Sequence, residues 1–165
     1  MKVLGIDPGV ARLGWGVVSE KKGSYQAQAY GCLITKKGTP SEKRLESLFN
    51  NLKKLINKHN PEVMAVEDLF FAANAKTALQ VGQARGIILL AAALKKLPLT
   101  SYTPLKIKMA IVGYGRADKD QVQKMVGSIL KLRNMPKLDD TADALAVALT
   151  HLFLHKFEKV VDSHD

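Results

Sequence analysis

Two acidic residues close apolar runs that have the length and composition of β-strands. Asp7 ends the run 2–7 (KVLGID), and Glu67 ends the run 62–67 (EVMAVE). If these two strands are parallel neighbours, both carboxylates project from the carboxyl edge of one sheet. Open α/β sheets bind their ligands at that edge. The positions of Asp7 and Glu67 therefore predict a shared site.

Two more acids, Asp140 and Asp143, lie three residues apart where the final helix is predicted to begin. Residues at i and i+3 share one face of a helix, so both carboxylates can point the same way. The adjacent acids Asp68 and Asp139 are expected to face elsewhere, the first by strand alternation and the second by helical phase. The sequence therefore offers four carboxylates for one cleft.

Four carboxylates in one cleft repel each other unless cations lie between them. Mg²⁺ prefers oxygen ligands and is usually held by a few carboxylates, waters and substrate phosphates. Two such ions about 4 Å apart can stabilise the attacking and leaving oxygens of phosphodiester cleavage. No serine, cysteine or histidine has a comparable setting in the sequence. A metal-activated water is therefore the expected nucleophile.

Each acid also has a purely structural interpretation. Asp7 precedes Pro-Gly and fits a turn aspartate. Asp140 fits an N-cap, and Asp143 fits the first helical turn, where the helix dipole favours acids. Glu67 is harder to explain in this way, because a charge that closes an apolar strand needs a partner or a role.

The elements that must position these acids follow the order of an α/β layer structure. The pattern predicts three antiparallel strands, a helix, a strand, a long helix, a further strand and then helices. A Thr-Pro-Ser-Glu capping box at residues 39–42 is expected to start the first helix, and Asp118 with Gln121 is expected to cap a later one. We expect one domain over residues 1–165, with a five-stranded mixed sheet flanked by helices.

Composition supports a single folded domain. The chain has 165 residues, of which 47% are hydrophobic and 24% are charged, so it can bury a core and is not disordered. The longest apolar run, residues 87–94, has eight residues, against about 20 for a membrane helix. A single cysteine excludes an internal disulfide and a thiolate metal cluster. We expect a cytoplasmic protein without a membrane segment.

The charge balance points to a polyanionic partner. Lys and Arg total 25 against 15 Asp and Glu, a net charge of +10. Neutralising phosphates with such a surface releases condensed counterions and favours nucleic-acid binding. If four of the 15 acids lie in the cleft, 11 remain elsewhere, so the surface around the cleft is strongly positive. The alternative is an ordinary solvated basic surface with no such partner.

Five motifs occur in one order along nearly the whole chain. They are GIDPG at 5–9, LGWG at 13–16, VE at 66–67, GQARG at 82–86 and DTADALA at 140–146. Taken together, they resemble the RuvC family of crossover junction endodeoxyribonucleases. The first motif alone is weak, because actin-like ATPases and other ribonuclease H-like nucleases share it. An actin-like ATPase also needs a second lobe, for which 165 residues leave no room.

The resemblance implies a ribonuclease H-like fold and a homodimer that resolves four-way (Holliday) junctions in homologous recombination and DNA repair. It also implies Mg²⁺-dependent, symmetric nicking of two strands, with two ions per site and Mn²⁺ as a substitute. Carried over by motif, the catalytic metal ligands are Asp7, Glu67, Asp140 and Asp143. A branch-migration helicase complex is the further partner implied.

The resemblance also marks residues expected to contact DNA. Phe70, in the loop after the fourth strand, matches an aromatic that stacks on an unpaired base, whereas Phe71 is expected to pack in the core. Lys108 and Lys119 match lysines that lie near the scissile phosphate, and Lys106 is a further backbone contact. The alternatives are core packing for the aromatic and plain solvation for the lysines.

The predicted helix at 75–96 is apolar around more than one face. Ala78, Gly82 and Gly86 lie at four-residue intervals and permit another backbone to approach closely. A helix that is hydrophobic nearly all round is usually buried on both sides. A second subunit is therefore expected on one side. The alternative is burial between the sheet and the C-terminal helices.

Two other functions remain open on the same residues. One is a related nuclease that acts on structured RNA, and the other is a junction-binding protein without activity. The aromatic loop and the pair Asp140 and Asp143 favour the DNA enzyme. Retention of four acids argues against an inactive protein, because idle clustered carboxylates destabilise a fold.

Overall fold

A computed structural model of the protein describes residues 1–68 and 75–162, with side chains for 1–68 and 78–156. Phe70 and Phe71, predicted as the stacking and packing aromatics, lie outside the described residues. No helix in the described part of the chain is long and apolar enough to span a membrane.

Five strands form one mixed sheet. They are β1 (Lys2–Asp7), β2 (Arg12–Lys21), β3 (Ser24–Ile34), β4 (Val63–Glu67) and β5 (Leu99–Tyr102). The order in the sheet is β3-β2-β1-β4-β5, with an antiparallel meander of the first three strands and with β4 and β5 parallel to β1. The expected five-stranded mixed sheet is confirmed.

Helices cover both faces of the sheet. They are α1 (Ser41–His59), α2 (Ala75–Leu94), α3 (Pro104–Val112), α4 (Lys119–Leu130) and α5 (Asp139–Asp162). One hydrophobic cluster joins α1 and α2 to the face that carries Leu4 and Ile6. A second cluster joins the last three helices to the face that carries Val3 and Ala65. Because side chains alternate along β1, Asp7 points to the same face as Val3.

The two helix starts predicted to have capping boxes differ. At α1 the expectation is wrong: Pro40 occupies the N-cap position and no side chain caps the helix, because Thr39 lies one residue too early. At α4 the capping box is confirmed, since Asp118 accepts a hydrogen bond from the backbone of Gln121 and the Gln121 side chain accepts one in return. This cap fixes Lys119 as the first residue of α4.

Candidate active site

Asp7 and Glu67 lie side by side at the carboxyl edge of the sheet. β1 and β4 pair in parallel, with Gly5 opposite Ala65. The two acids are the next residues on the same face of each strand, and their side chains share a hydrogen bond. Parallel pairing therefore brings the two strand-end acids together, as the sequence predicted.

Glycines in β1 and β2 let α5 approach the sheet closely enough to add Asp140 and Asp143. A Cβ atom at Gly5 would lie 2.1 Å from the carbonyl oxygen of Ala144, and one at Gly14 would lie 1.8 Å from the carbonyl oxygen of Asp140. Backbone therefore meets backbone where α5 crosses these strands. The absence of side chains at the two glycines sets the position of the first turns of α5 over Asp7.

Mutual repulsion and burial perturb the acids that this packing collects. Burial, Glu67, Asp143 and Asp140 raise the pKa of Asp7 to about 8. Burial and Asp143 raise the pKa of Glu67 to about 7, although its hydrogen bond with Asp7 acts in the opposite direction. Burial also raises the pKa of Asp143 against the opposing effect of Lys119. The four predicted acids thus form one electrostatic cluster.

Two basic side chains lie against this acid cluster. Lys119 Nζ is 3.0 Å from Asp143 Oδ2 and 3.3 Å from Asp139 Oδ2. Arg12 Nε is 3.2 Å from Asp140 Oδ2. The expectation that Asp139 faces away is therefore wrong. Asp139 lies four residues before Asp143, on the same face of α5, and both carboxylates pair with Lys119. It is nevertheless the more exposed acid, at 64% against 27% for Asp143.

The donor set suits a divalent cation. Asp140 Oδ2 is buried and accepts no hydrogen bond within the described residues, since the nearby Arg12 lacks the alignment for one. Because a buried carboxylate needs a compensating positive charge, this oxygen can be satisfied by Arg12 or by a bound cation. No three His, Cys, Asp or Glu side chains in the described ranges stand close enough together to surround one ion as they are. The charges of Lys119 and Arg12 compensate two of the four carboxylates.

A cleft opens from the acid cluster towards α3 and α4. Its volume is about 190 Å³, and its polar lining residues are Glu67, Asp143, Lys108 and Lys119. The structure therefore places two of the predicted DNA-contacting lysines beside the acids. Lys106 is exposed on α3 and does not line the cleft. Phe70, the remaining predicted DNA contact, lies outside the described residues.

Arg85 holds the end of β4 from the other side of the sheet, which the sequence analysis did not anticipate. Its guanidinium donates to the carbonyl oxygen of Glu67 at 3.2 Å and to the hydroxyl of Ser101 at 2.8 Å. It also pairs with Asp68 at 3.0 Å, which confirms that Asp68 faces away from the acid cluster. The sequence could have indicated a structural role for Arg85, because it is an isolated arginine in an apolar helix. Arg12 gave no such signal.

The strand order, the helices on both faces and the acids at the sheet edge define a ribonuclease H-like nuclease domain. The model of the family "Crossover junction endodeoxyribonuclease RuvC" matches residues 3–151. The RuvC protein of Moorella thermoacetica is 52% identical over 151 residues, covering 92% of this chain and 90% of that protein. The RuvC protein of Fusobacterium nucleatum is 47% identical over 152 residues, covering 92% and 80%.

Solved structures agree with these sequence matches. Thermus thermophilus RuvC has a TM-score of 0.89 and 37% identity, covering 96% of this chain and 97% of that one. T. thermophilus RuvC in complex with Holliday junction substrate has a TM-score of 0.91 and 36% identity, covering 96% of both chains. The chain therefore belongs to the RuvC family of crossover junction endodeoxyribonucleases, and the expected ribonuclease H-like fold is confirmed.

Proposed function

We propose that this protein resolves four-way DNA junctions, cutting two strands symmetrically with Asp7, Glu67, Asp140 and Asp143 as its catalytic, metal-binding acids. Members of its family are crossover junction endodeoxyribonucleases. The observation that carries the proposal is the convergence of four acids from β1, β4 and α5 beside a lysine-lined cleft, where burial and repulsion between carboxylates raise the pKa values of Asp7 and Glu67. Such a cluster costs folding free energy, and cation-dependent chemistry gives it a purpose.

Mg²⁺ is the cation that we propose, with two ions per site and Mn²⁺ as a substitute, since the family is one of metal-dependent nucleases. When bound, such ions supply an activated water and stabilise charge on the oxygens of the phosphodiester. All four acids offer oxygen ligands, which suit this hard cation. Asp140 Oδ2 accepts no hydrogen bond within the described residues, and its ion pair with Arg12 leaves it able to bind a cation.

The chain's own residues carry the remaining tasks. Lys108 and Lys119 line the cleft together with Glu67, so both lysines border the space that a scissile phosphate would enter. Positive charge fixed there favours the charge that develops on the phosphate oxygens. Arg85 holds the main chain at Glu67, which limits movement of that carboxylate. Lys106 on the exposed side of α3 is proposed as a contact to the DNA backbone further from the nick.

We propose that a second copy of the chain covers the outer side of α2. Leu79, Leu90 and Leu94 there are 69%, 51% and 61% exposed, and among the described residues nothing beyond the helix's own backbone lies within 4 Å of a Cβ built at Gly82 or Gly86. The alternative of burial between the sheet and the C-terminal helices is wrong, because α2 packs with α1 on the opposite face. A two-fold dimer matches a substrate with two equivalent strands. A branch-migration helicase partner stays a prediction from the family resemblance.

The test is incubation with an immobile four-way junction, with and without Mg²⁺, followed by mapping of nicks on all four strands. The proposal predicts paired nicks in opposing strands, only with the cation. Asp7→Asn should keep junction binding and lose cleavage, whereas Asp120→Asn, an exposed acid of α4, should cut like the wild type. Undiminished cutting by Asp7→Asn would remove that acid from the mechanism.

The same experiment separates the two other functions. A folded RNA cut in preference to the junction would identify an RNA nuclease. Tight junction binding without any cation-dependent nick would identify a binding protein. Either result would contradict the proposed function.

A further inference from the structure

A second, mainly apolar groove continues from the acidic cleft. Its volume is about 480 Å³, and it is lined by Thr103, Pro104, Leu105, Lys108 and Gly115. Pro104 and Lys108 line the acidic cleft as well, so the two spaces share a wall. We call this space the α3 groove. A DNA strand with a phosphate at the acids would therefore pass beside the α3 groove.

The α3 groove keeps large apolar side chains exposed on its rim. Leu105 and Met109 on α3 are 61% and 50% exposed, and Tyr114 in the following loop is 55% exposed. A Cβ atom at Gly115 would lie 2.6 Å from Leu105 Cδ1 and 3.6 Å from Met109 Sδ, so the loop backbone supports these side chains from one side. Contiguous exposed apolar surface of this kind marks an interaction site.

The charges around the α3 groove select the chemistry of its occupant. Residues 103–119 carry four basic side chains and one acid, Asp118, whose carboxylate is engaged in capping α4. Lys108 lies in the groove wall itself. An occupant with an anionic backbone and apolar flat faces fits this combination, and a nucleotide of a DNA strand has both properties.

We propose that the α3 groove receives the sugar and base of a nucleotide adjacent to the scissile phosphate. The inference rests on the proposed nuclease function and adds a subsite to it. Leu105 supplies the apolar contact, Lys108 faces the phosphate, and Gly115 leaves the groove open. The subsite positions the strand, so it acts on the efficiency of cleavage and takes no part in the chemical step.

The test measures kcat/KM on synthetic junctions in which single nucleotides flanking the nick are replaced by a tetrahydrofuran abasic residue, one position at a time. Leu105→Ser removes the apolar contact, and Gly115→Val fills the groove. Met125→Ser, a change at an exposed apolar residue of α4, is the control. Each groove variant should lower kcat/KM on the intact junction about tenfold, the change expected when part of a leucine side chain loses its burial.

The decisive result is non-additivity. At one flanking position the abasic substitution should lower wild-type kcat/KM about tenfold. On that abasic junction, kcat/KM of Leu105→Ser should be less than about twofold below that of the wild type. Additive losses at every position, or full activity of both groove variants, would overturn the proposal. So would a changed oligomeric state in Leu105→Ser, which would assign the groove to a second copy. Failure of the wild type to cut any junction would instead refute the nuclease function.

Discussion

Replacing Gly14 with alanine tests whether the acid cluster depends on the close approach of α5 to the sheet. The new Cβ would lie 1.8 Å from the carbonyl oxygen of Asp140 and 2.3 Å from its carbonyl carbon. This is 1.6 Å short of the 3.4 Å at which ordinary van der Waals contact begins. Both atoms belong to the backbone, so no side-chain rotation can relieve the overlap. The start of α5 and the strand must move apart.

The expected loss follows from the size of that movement. A displacement of about 1 Å in a catalytic group can cost on the order of 100-fold in rate. Gly14→Ala should therefore lower kcat/KM for junction cleavage by about 100-fold or more. Overpacking should also lower the free energy of unfolding by about 1–3 kcal/mol.

Gly16→Ala is the matched control for this prediction. Its Cβ would lie 2.6 Å from Cδ2 of Leu145, the far end of a buried side chain that can adjust. We expect a similar loss of stability, about 1–3 kcal/mol, with a loss of activity below about tenfold. Urea unfolding and kcat/KM at saturating Mg²⁺ would be measured on both variants. Wild-type kcat/KM in a folded Gly14→Ala protein would show that the close approach serves packing alone.

Three further outcomes are expected. The pKa of Asp7 is raised from 3.8 to about 8, so the folded protein without metal keeps a proton on Asp7 that the unfolded chain loses. The free energy of unfolding should therefore fall as the pH rises from about 4 to 8. Asp7→Asn should flatten this slope in urea titrations with EDTA, and an unchanged slope would contradict the assignment. Lys119→Met should bind Mn²⁺ more tightly in calorimetry, because the lysine ammonium that competes for Asp143 is gone, and should cleave more slowly. An unchanged Mn²⁺ affinity would rule out that competition. Arg85→Lys should lower the free energy of unfolding by about 1–2 kcal/mol and should also lower kcat, because Glu67 is held less firmly. If only the free energy of unfolding changes, Arg85 has a packing role alone.

Local pattern was sufficient to predict most of the fold. The apolar run that ends at Asp7 located β1 at its observed bounds, and the predicted cap at Asp118 located the start of α4, because strand length and helix caps are encoded in neighbouring residues. Strand alternation and helical phase also predicted that the four acids could converge. The prediction of a capping box at α1 was wrong because the helix begins one residue later than the motif requires, which leaves the Thr39 side chain out of reach of the helix start.

The supporting residues of the site were beyond such reasoning. Arg85 reaches Glu67 from another element, and that contact exists only once α2 has packed on the sheet. Gly5 and Gly14 read as ordinary strand glycines until the path of α5 is known. Contacts of this kind depend on tertiary approach, which the sequence pattern of one segment does not contain.

The grip of Arg85 couples two parts of the molecule that the sheet would otherwise keep separate. Exposed leucines lie on the outer surface of α2, and Arg85 of the same helix donates a hydrogen bond to the carbonyl oxygen of Glu67. A shift of α2 caused by binding on that outer surface would therefore reach the peptide group of Glu67, one of the acids of the proposed site. A second subunit bound on α2 would thus help to hold Glu67 in place, and dimer formation would be coupled to the alignment of the proposed site.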